Sequence, residues 1–550
     1  MAEANPTGAR RTGGPGTTEA FDAVVIGAGV AGMYQVYRLR EKGFRVRGIE
    51  AGSGVGGTWY WNRYPGARVD SQAYIYQYWF SEELNKAWNW SERFPAQPET
   101  EAYLNFVADH CDLRKDFDFN TRVTSARFDE STRRWRIETD TGETLDTKYF
   151  ITCAGMLSAP LSAAFAGQDS FEGQVFHTAR WPKEGVALAG KRVGVVGTGA
   201  TGIQVIQTIA GQAGHLKVFM RTPQYIIPMR NPKYDDADRE AHKAGFQAMR
   251  QRVQRTFAGF DYDFPERSFH DMTVQERRAV MEEIWADGSL SFWLASFAEM
   301  FVDPAVNEEV SEFVREKMRE RIKDPELAAK LIPTTYGFGT HRVPLETRYL
   351  EAFLRPDVEL VDVREAPIEC IVPKGVMTAD GTVHELDILI LATGFDAGTG
   401  ALTRIDIRGR GGRSLKDDWN ADIRTTMGLM VHGYPNLFTT AAPLAPSAAL
   451  CNMTTCLQQQ VDWITDCILY MESQGHRVIE PTKAFEDSWV AHHDAVADAT
   501  LVTKTDSWYM GSNVAGKPRR LLSYIGGVGG YRQKCEDVAA RHYEGFSLAR

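Results

Sequence analysis

Apolar and polar positions along this chain fall into a repeating order. Short unbroken apolar runs end in glycine-rich turns, and a stretch with helical spacing follows each. Phe21-Asp22-Ala23-Val24-Val25-Ile26 is the first such run. It predicts a strand buried on both faces, as in a parallel sheet. Met33, Val36, Tyr37 and Leu39 then lie on one face of a predicted helix, and Arg45–Glu50 predicts the returning strand. The unit recurs as the run Arg192–Val196, a helix through Ile203, Val205 and Ile206, and the strand Leu216–Met220. Between the two units, Thr100 to Leu113 has helical spacing. Val123–Phe128 and Trp135–Thr139 alternate around a Glu-Ser-Thr turn, which predicts a hairpin, and Tyr149–Gly155 returns to the sheet. From Asp235 to Leu331 the pattern is polar and helical, clearest over Val274–Trp285 and Val306–Ile322. Asp357–Val363 and His384–Leu391 predict strands, and Cys451–Glu472 predicts one long helix with its apolar positions in the core.

The two turns carry the chemistry. Gly27-Ala28-Gly29-Val30-Ala31-Gly32 and Gly197-Thr198-Gly199-Ala200-Thr201-Gly202 both read G-x-G-x-x-G between a strand and a helix. That arrangement brings backbone N–H groups and a helix N-terminus to a pyrophosphate. Each second strand then ends differently. Glu50 closes the first unit; a carboxylate there accepts from ribose hydroxyls and repels a 2′-phosphate, which favours FAD or NAD. Arg221-Thr222 closes the second, and a guanidinium pairs with phosphate, which favours NADP(H). An ordinary solvated charge at a strand end is the plainer reading of Arg221. The predicted fold class is α/β, with two dinucleotide-binding, Rossmann-like domains and an α-helical insertion in the second. Residues 21–158 with 391–550 form the first domain, 159–234 with 332–390 the second, 235–331 the insertion, and 1–20 a disordered tail rich in Gly, Thr, Ala and Pro.

Other stretches stay open on pattern alone. Gly56 to Asp70, rich in glycine and aromatics, reads as a long loop: either a packed aromatic loop or a wall for a flat ring that delivers Asp70 to a site. Gly337-Phe338-Gly339-Thr340-His341-Arg342 is a glycine-containing loop with a His-Arg pair. Asp506 to Arg519 is a mobile lid or a plain surface loop.

Composition narrows the partners. At 550 residues the chain exceeds one compact core. Its net charge of −10 argues against nucleic acid as the main partner, and no apolar run is long enough to span a bilayer. The seven cysteines are an odd number with no C-x-x-C. This fits a reducing cytoplasm and counts against a dithiol–disulfide reductase. No Cys/His cluster has ligand spacing, so no metal is expected.

With these residues in view, the chain resembles the Baeyer–Villiger monooxygenases, flavoproteins that use FAD and NADPH. Phe171, Gly173, His177, Trp181 and Pro182 match the short family signature F-x-G-x-x-x-H-x-x-x-W-P. Gly57, Trp59, Tyr64, Pro65, Gly66 and Asp70 match the longer one. In look it is similar to the family's steroid, phenylacetone and terpenoid cyclic-ketone members. The resemblance implies FAD held by the first fingerprint and Glu50 with Gly57, Thr58, Trp59, Tyr76 and Val123. It implies NADPH held by the second fingerprint with Arg221, Thr222 and His341, and Trp508 on a loop that folds over NADP. It implies Arg342 as the catalytic arginine with Asp70 beside it, and conversion of ketones, cyclic or bulky ones, to esters or lactones with O2 through a flavin C4a-peroxide. His177 is read as a hinge residue, not a catalyst.

Where the family has Lys-Arg, this chain has His341-Arg342. A histidine mostly neutral at pH 7 predicts an NADPH preference over NADH that rises as pH falls from 8 to 6. Ala442–Ser447 also departs from the family's usual Gly-Pro-x-Ser-Pro-Ser. The alternative is the related flavin monooxygenase that oxygenates amines or sulfides, whose short signature usually lacks the Trp-Pro ending. A monomer or small homo-oligomer is expected.

Overall fold

A computed structural model describes residues 19–161 and 165–550. The predicted tail lies outside the described residues except at its end. Glu19 and Ala20 already belong to the strand Glu19–Ile26, because the long partner strand Thr144–Thr152 extends far enough to pair with them.

That strand sits inside an eight-stranded sheet, between Thr144–Thr152 and Val46–Ile49 and parallel to both. The hairpin Val123–Asp129 and Arg134–Thr139 extends the sheet on one side in antiparallel fashion. Two late strands, Asp406–Arg408 and Leu437–Thr439, join the same sheet. The helix Val30–Glu41 buries more than the stripe predicted from its spacing. Tyr34 and Gln35 are covered as well, while Tyr37 is half-buried. The helix Met453–Gln474 lies against that second face: Tyr34 Oη donates to Asp462 (2.7 Å) and Gln35 Nε2 to Thr465 Oγ1 (3.0 Å).

The second sheet has five strands in the order Val358–Asp362, His215–Met220, Arg192–Val196, Ile388–Leu391, Gln174–His177, all parallel. The Phe171–Pro182 signature therefore supplies an edge strand of this sheet. From Asp236 to Leu331 the chain forms helices without a strand among them. Their starts follow capping chemistry: Asp235 with Asp238 and Thr273 with Glu276 make capping boxes, and Asp303 and Asp324 each cap a helix that begins with proline. One apolar core runs from the second sheet through Trp293, Val310 and Phe313 of these helices to Tyr509 and Met510 near the C-terminus.

Three predicted elements differ. The loop after Gly56 contains the short helix Thr58–Trp61. The helix predicted over Thr100–Leu113 is Gln97–His110; Pro98 in its first turn favours the earlier start, and Asp112 adopts φ 48° just past its end. The run His384–Leu391 splits into Val383–Glu385 and Ile388–Leu391, in different sheets. The break is at Asp387, whose carboxylate accepts from the Arg192 backbone N–H and Nη2, both at 2.8 Å.

Candidate active site

Each glycine fingerprint folds into a tight cradle with an open middle. A Cβ on Gly32 would lie 1.8 Å from the Gly27 carbonyl oxygen, and one on Gly202 would lie 2.1 Å from that of Gly197. These positions admit no side chain, so strand and helix touch through backbone. The middle glycines are different. A Cβ on Gly29 would meet only the Gly57 backbone, at 3.4 Å, and one on Gly199 would meet nothing within 4 Å. Both middle positions leave clearance of the kind a pyrophosphate needs against a helix N-terminus.

Around the first cradle, Glu50 is buried at the end of Val46–Ile49. Its carboxylate accepts from Ala28 N–H (2.8 Å) and Gly52 N–H (2.6 Å). Each oxygen keeps a lone pair, which fits ribose hydroxyls. Thr121 N–H bonds back to the Glu50 carbonyl (3.0 Å), so the loop before Val123 reaches the same rim. Thr58 is exposed at the start of its short helix. Trp59 is buried and donates through Nε1 to Tyr76 Oη (3.0 Å), with the two rings edge to face. Burial pushes the Tyr76 hydroxyl up to about 12, so it stays a proton donor.

Around the second cradle, Thr198 Oγ1 donates to the Thr222 carbonyl (2.9 Å), and Arg221 is exposed beside it. Tyr336 Oη donates to the next carbonyl, Pro223 (2.8 Å), and the His341 ring stacks on Tyr336 at 4.0 Å. His341 thus stands near the Arg221 end of the cradle. Burial pushes its imidazole down to about 4, against weaker opposition from Asp506. This removes the basis for an NADPH preference that strengthens in mild acid. A group with a lowered folded pKa near 4 carries no charge throughout the neutral range. The ratio of kcat/KM for NADPH to that for NADH is expected not to rise from about pH 8 to about pH 6. Steady-state kinetics with both coenzymes checks this; a several-fold rise would contradict it.

Arg342, the next residue, faces the other way. Its Nη2 donates to Asp70 at the end of the aromatic loop, and its guanidinium lies over the Trp293 ring, 5.4 Å from the centroid. Burial opposes the charge, but Asp70 together with the nearby Tyr509 and Tyr262 outweighs it, and the guanidinium is held above its ordinary value. Gly339, at φ 80°, lets the loop press against Trp293; a Cβ there would be 2.6 Å from the indole nitrogen. Tyr64, in the same aromatic loop, donates to Gln204 Oε1 of the helix Ala200–Ile209 (2.9 Å), which ties Asp70's loop to the second cradle.

Trp293 had no motif to mark it. The signal in the sequence was the apolar run Phe292-Trp293-Leu294-Ala295 inside an otherwise charged helical region. Tyr509 was also missed. It is buried next to Trp508, and its hydroxyl lies within the field of Arg342 and Asp70. His177 bonds within its own turn and across to the segment that follows Ile388–Leu391. Nδ1 accepts from Ala179 N–H (3.1 Å) and Nε2 lies 3.3 Å from Thr393 Oγ1. Its neighbours dock on the aromatic loop: the Arg180 guanidinium lies 4.4 Å from the Trp61 ring centroid and Lys183 Nζ lies 4.8 Å from that of Tyr60.

Two open glycine cradles and a part-buried arginine–aspartate ion pair are the features that a protein with two nucleotide sites would show. The model of the flavin-binding monooxygenase-like family matches residues 21–233. Acetone monooxygenase (methyl acetate-forming) of Gordonia sp. (strain TY-5) is 61% identical over 97% of this chain and 100% of its own length. Cyclopentanone 1,2-monooxygenase of Comamonas sp. (strain NCIMB 9872) is 39% identical over 96% of each. Among solved structures, OTEMO complexed with FAD and NADP superposes with a TM-score of 0.93 at 41% identity, covering 97% of this chain and 100% of that one. The chain belongs to the Baeyer–Villiger monooxygenases.

Proposed function

We propose that this enzyme uses NADPH and O2 to convert ketones to esters or lactones, and that short-chain aliphatic ketones are its preferred substrates. The observation that carries the reading is the part-buried Arg342–Asp70 pair, whose aspartate ends the aromatic loop that Tyr64 ties to the second cradle. The likeness over the full length to a relative named for acetone supports the small substrate. It shifts the expectation from bulky ketones toward small ones. The order of strands in the two sheets supports the division into 21–158 with 391–550, 159–234 with 332–390, and an inserted 235–331.

FAD fits the first cradle, on Gly27, Gly29, Gly32 and Glu50 with Gly57, Thr58, Trp59, Tyr76 and Val123 around it. NADPH fits the second, on Gly197, Thr198, Gly199 and Gly202 with Arg221, Thr222, His341 and Trp508. Once bound and reduced by NADPH, the flavin supplies the activation of O2. The chain's own residues do the rest. Arg342, a permanent cation with donors in a fixed fork, hydrogen-bonds the ketone oxygen and stabilises negative charge as it develops there. Asp70 holds the guanidinium in place and offsets its burial. Trp293 covers one face of the guanidinium and excludes water from that side. The seven thiols, all free, support a cytoplasmic enzyme, acting as a monomer or small homo-oligomer. Specificity is tested by kcat/KM over a series from acetone and butanone to cyclohexanone and a steroid ketone, with products identified. Acetone and butanone are expected to lead; a steroid ketone leading would overturn the substrate assignment.

A further inference from the structure

The segment that carries the chain from the second sheet back toward the first, residues 392–398, is gripped from three sides. It runs beside the outgoing crossing: Pro160 and Phe395 form an antiparallel bridge, and Asp396 N–H and Gly398 N–H donate to Ala159 and Met156, both at 2.9 Å. From the edge strand, His177 reaches Thr393, and Thr178 Oγ1 donates to the Leu391 carbonyl (3.4 Å). The third grip comes from the glycine-rich stretch 506–519. Asn513 Nδ2 donates to the Phe395 carbonyl (2.9 Å). Lys517 Nζ donates to Asp396 Oδ1 (2.7 Å) and to the Ala397 carbonyl. Trp508 of the same stretch packs on a small apolar cluster that includes Ala397, Leu522 and Leu157.

The lysine is out of place in a surface loop. Its side chain is 6% exposed, although Ser512, Ala515 and Gly516 nearby are open to solvent. A buried ammonium is held only by a partner that offsets its desolvation. Asp396 is that partner, and it belongs to the crossing segment.

We propose that Lys517 and Asp396 form a clasp that positions the Trp508 stretch over the second nucleotide site by hooking it to the interdomain crossing. Both are positioning residues, and retention of NADP depends on their ion pair. The proposal rests on the reading of the second cradle as the NADPH site. Removing Asp396 strands the buried ammonium, which leaves by carrying its segment into solvent, and removing Lys517 takes away the hook itself. Removing both strands nothing further, so the two effects must not add.

The test is stopped-flow release of NADP+ from the FAD-loaded enzyme, with KM for NADPH, flavin content and Tm, in the wild type, Lys517→Met, Asp396→Asn and the double variant. Each single variant is expected to release NADP+ roughly ten-fold faster, with a raised KM and with flavin content and Tm held. The double variant is expected to be no worse than the worse single. Unchanged release in the singles, additive effects in the double, or faster release only together with flavin loss would overturn the clasp. Failure of the wild type to hold NADP+ at all would instead overturn the NADPH assignment, and the clasp with it.

Discussion

Arg342→Ala is expected to lower ester formation by ~10²–10³ while NADPH still reduces the bound flavin. The two halves of the expectation have separate causes. Reduction needs the two nucleotides held face to face, and both cradles are built from backbone and from residues other than Arg342. Oxygenation needs negative charge stabilised next to the ketone. Arg342, paired with Asp70 against burial, is the cation proposed for that task. The variant also leaves Asp70 without its partner, so a fall in Tm is expected as well. Anaerobic reduction followed by exposure to O2 and ketone separates the steps. Ester formation at the wild-type rate in this variant would remove Arg342 from the reaction centre.

Gly32→Ala is expected to give a protein that purifies without flavin. Its Cβ would stand 1.8 Å from the Gly27 carbonyl oxygen, so either the turn opens or the helix Val30–Glu41 backs away from the sheet. Forcing a methyl group into such a contact costs about 1–3 kcal/mol, a loss of roughly ten- to a hundred-fold in affinity when it falls on the bound geometry. Gly199→Ala makes the informative contrast. Its Cβ meets no protein atom within 4 Å, so Tm should hold while KM for NADPH rises. The absorbance ratio of flavin to protein reads the first variant, and steady-state kinetics read the second. Full flavin content in Gly32→Ala would mean that the turn is not the FAD cradle.

Much of this architecture was legible because its signals are local. A strand, a turn with glycine where only glycine fits, and a helix each leave marks within a few residues, and both cradles appear where those marks stand. The different ends of the two units, Glu50 and Arg221, were readable for the same reason. The pairing of Arg342 with Asp70 was legible only through resemblance to a known family, since nothing local ties residues 272 apart in sequence. Other features were not legible. Trp293 reaches the arginine through the packing of the inserted helices, which periodicity cannot orient. The histidine at 341 was read by its ordinary acidity, but burial pushes its imidazole down to about 4. Phe171–Pro182 was read as a family signature with a hinge residue at His177. It is an edge strand paired with Ile388–Leu391, followed by a turn whose Arg180, with Lys183 just beyond the signature, seats on the aromatic loop.

If the two cradles and Arg342 serve oxygen transfer to a ketone, turnover under labelled dioxygen shows it, with acetone as substrate and NADPH consumption, peroxide and ester measured together. The expected result is ester in an amount equal to the NADPH oxidised, one labelled oxygen atom in each ester molecule, and little peroxide. Oxidation of NADPH with peroxide as the sole oxygen product, or ester without label, would contradict it.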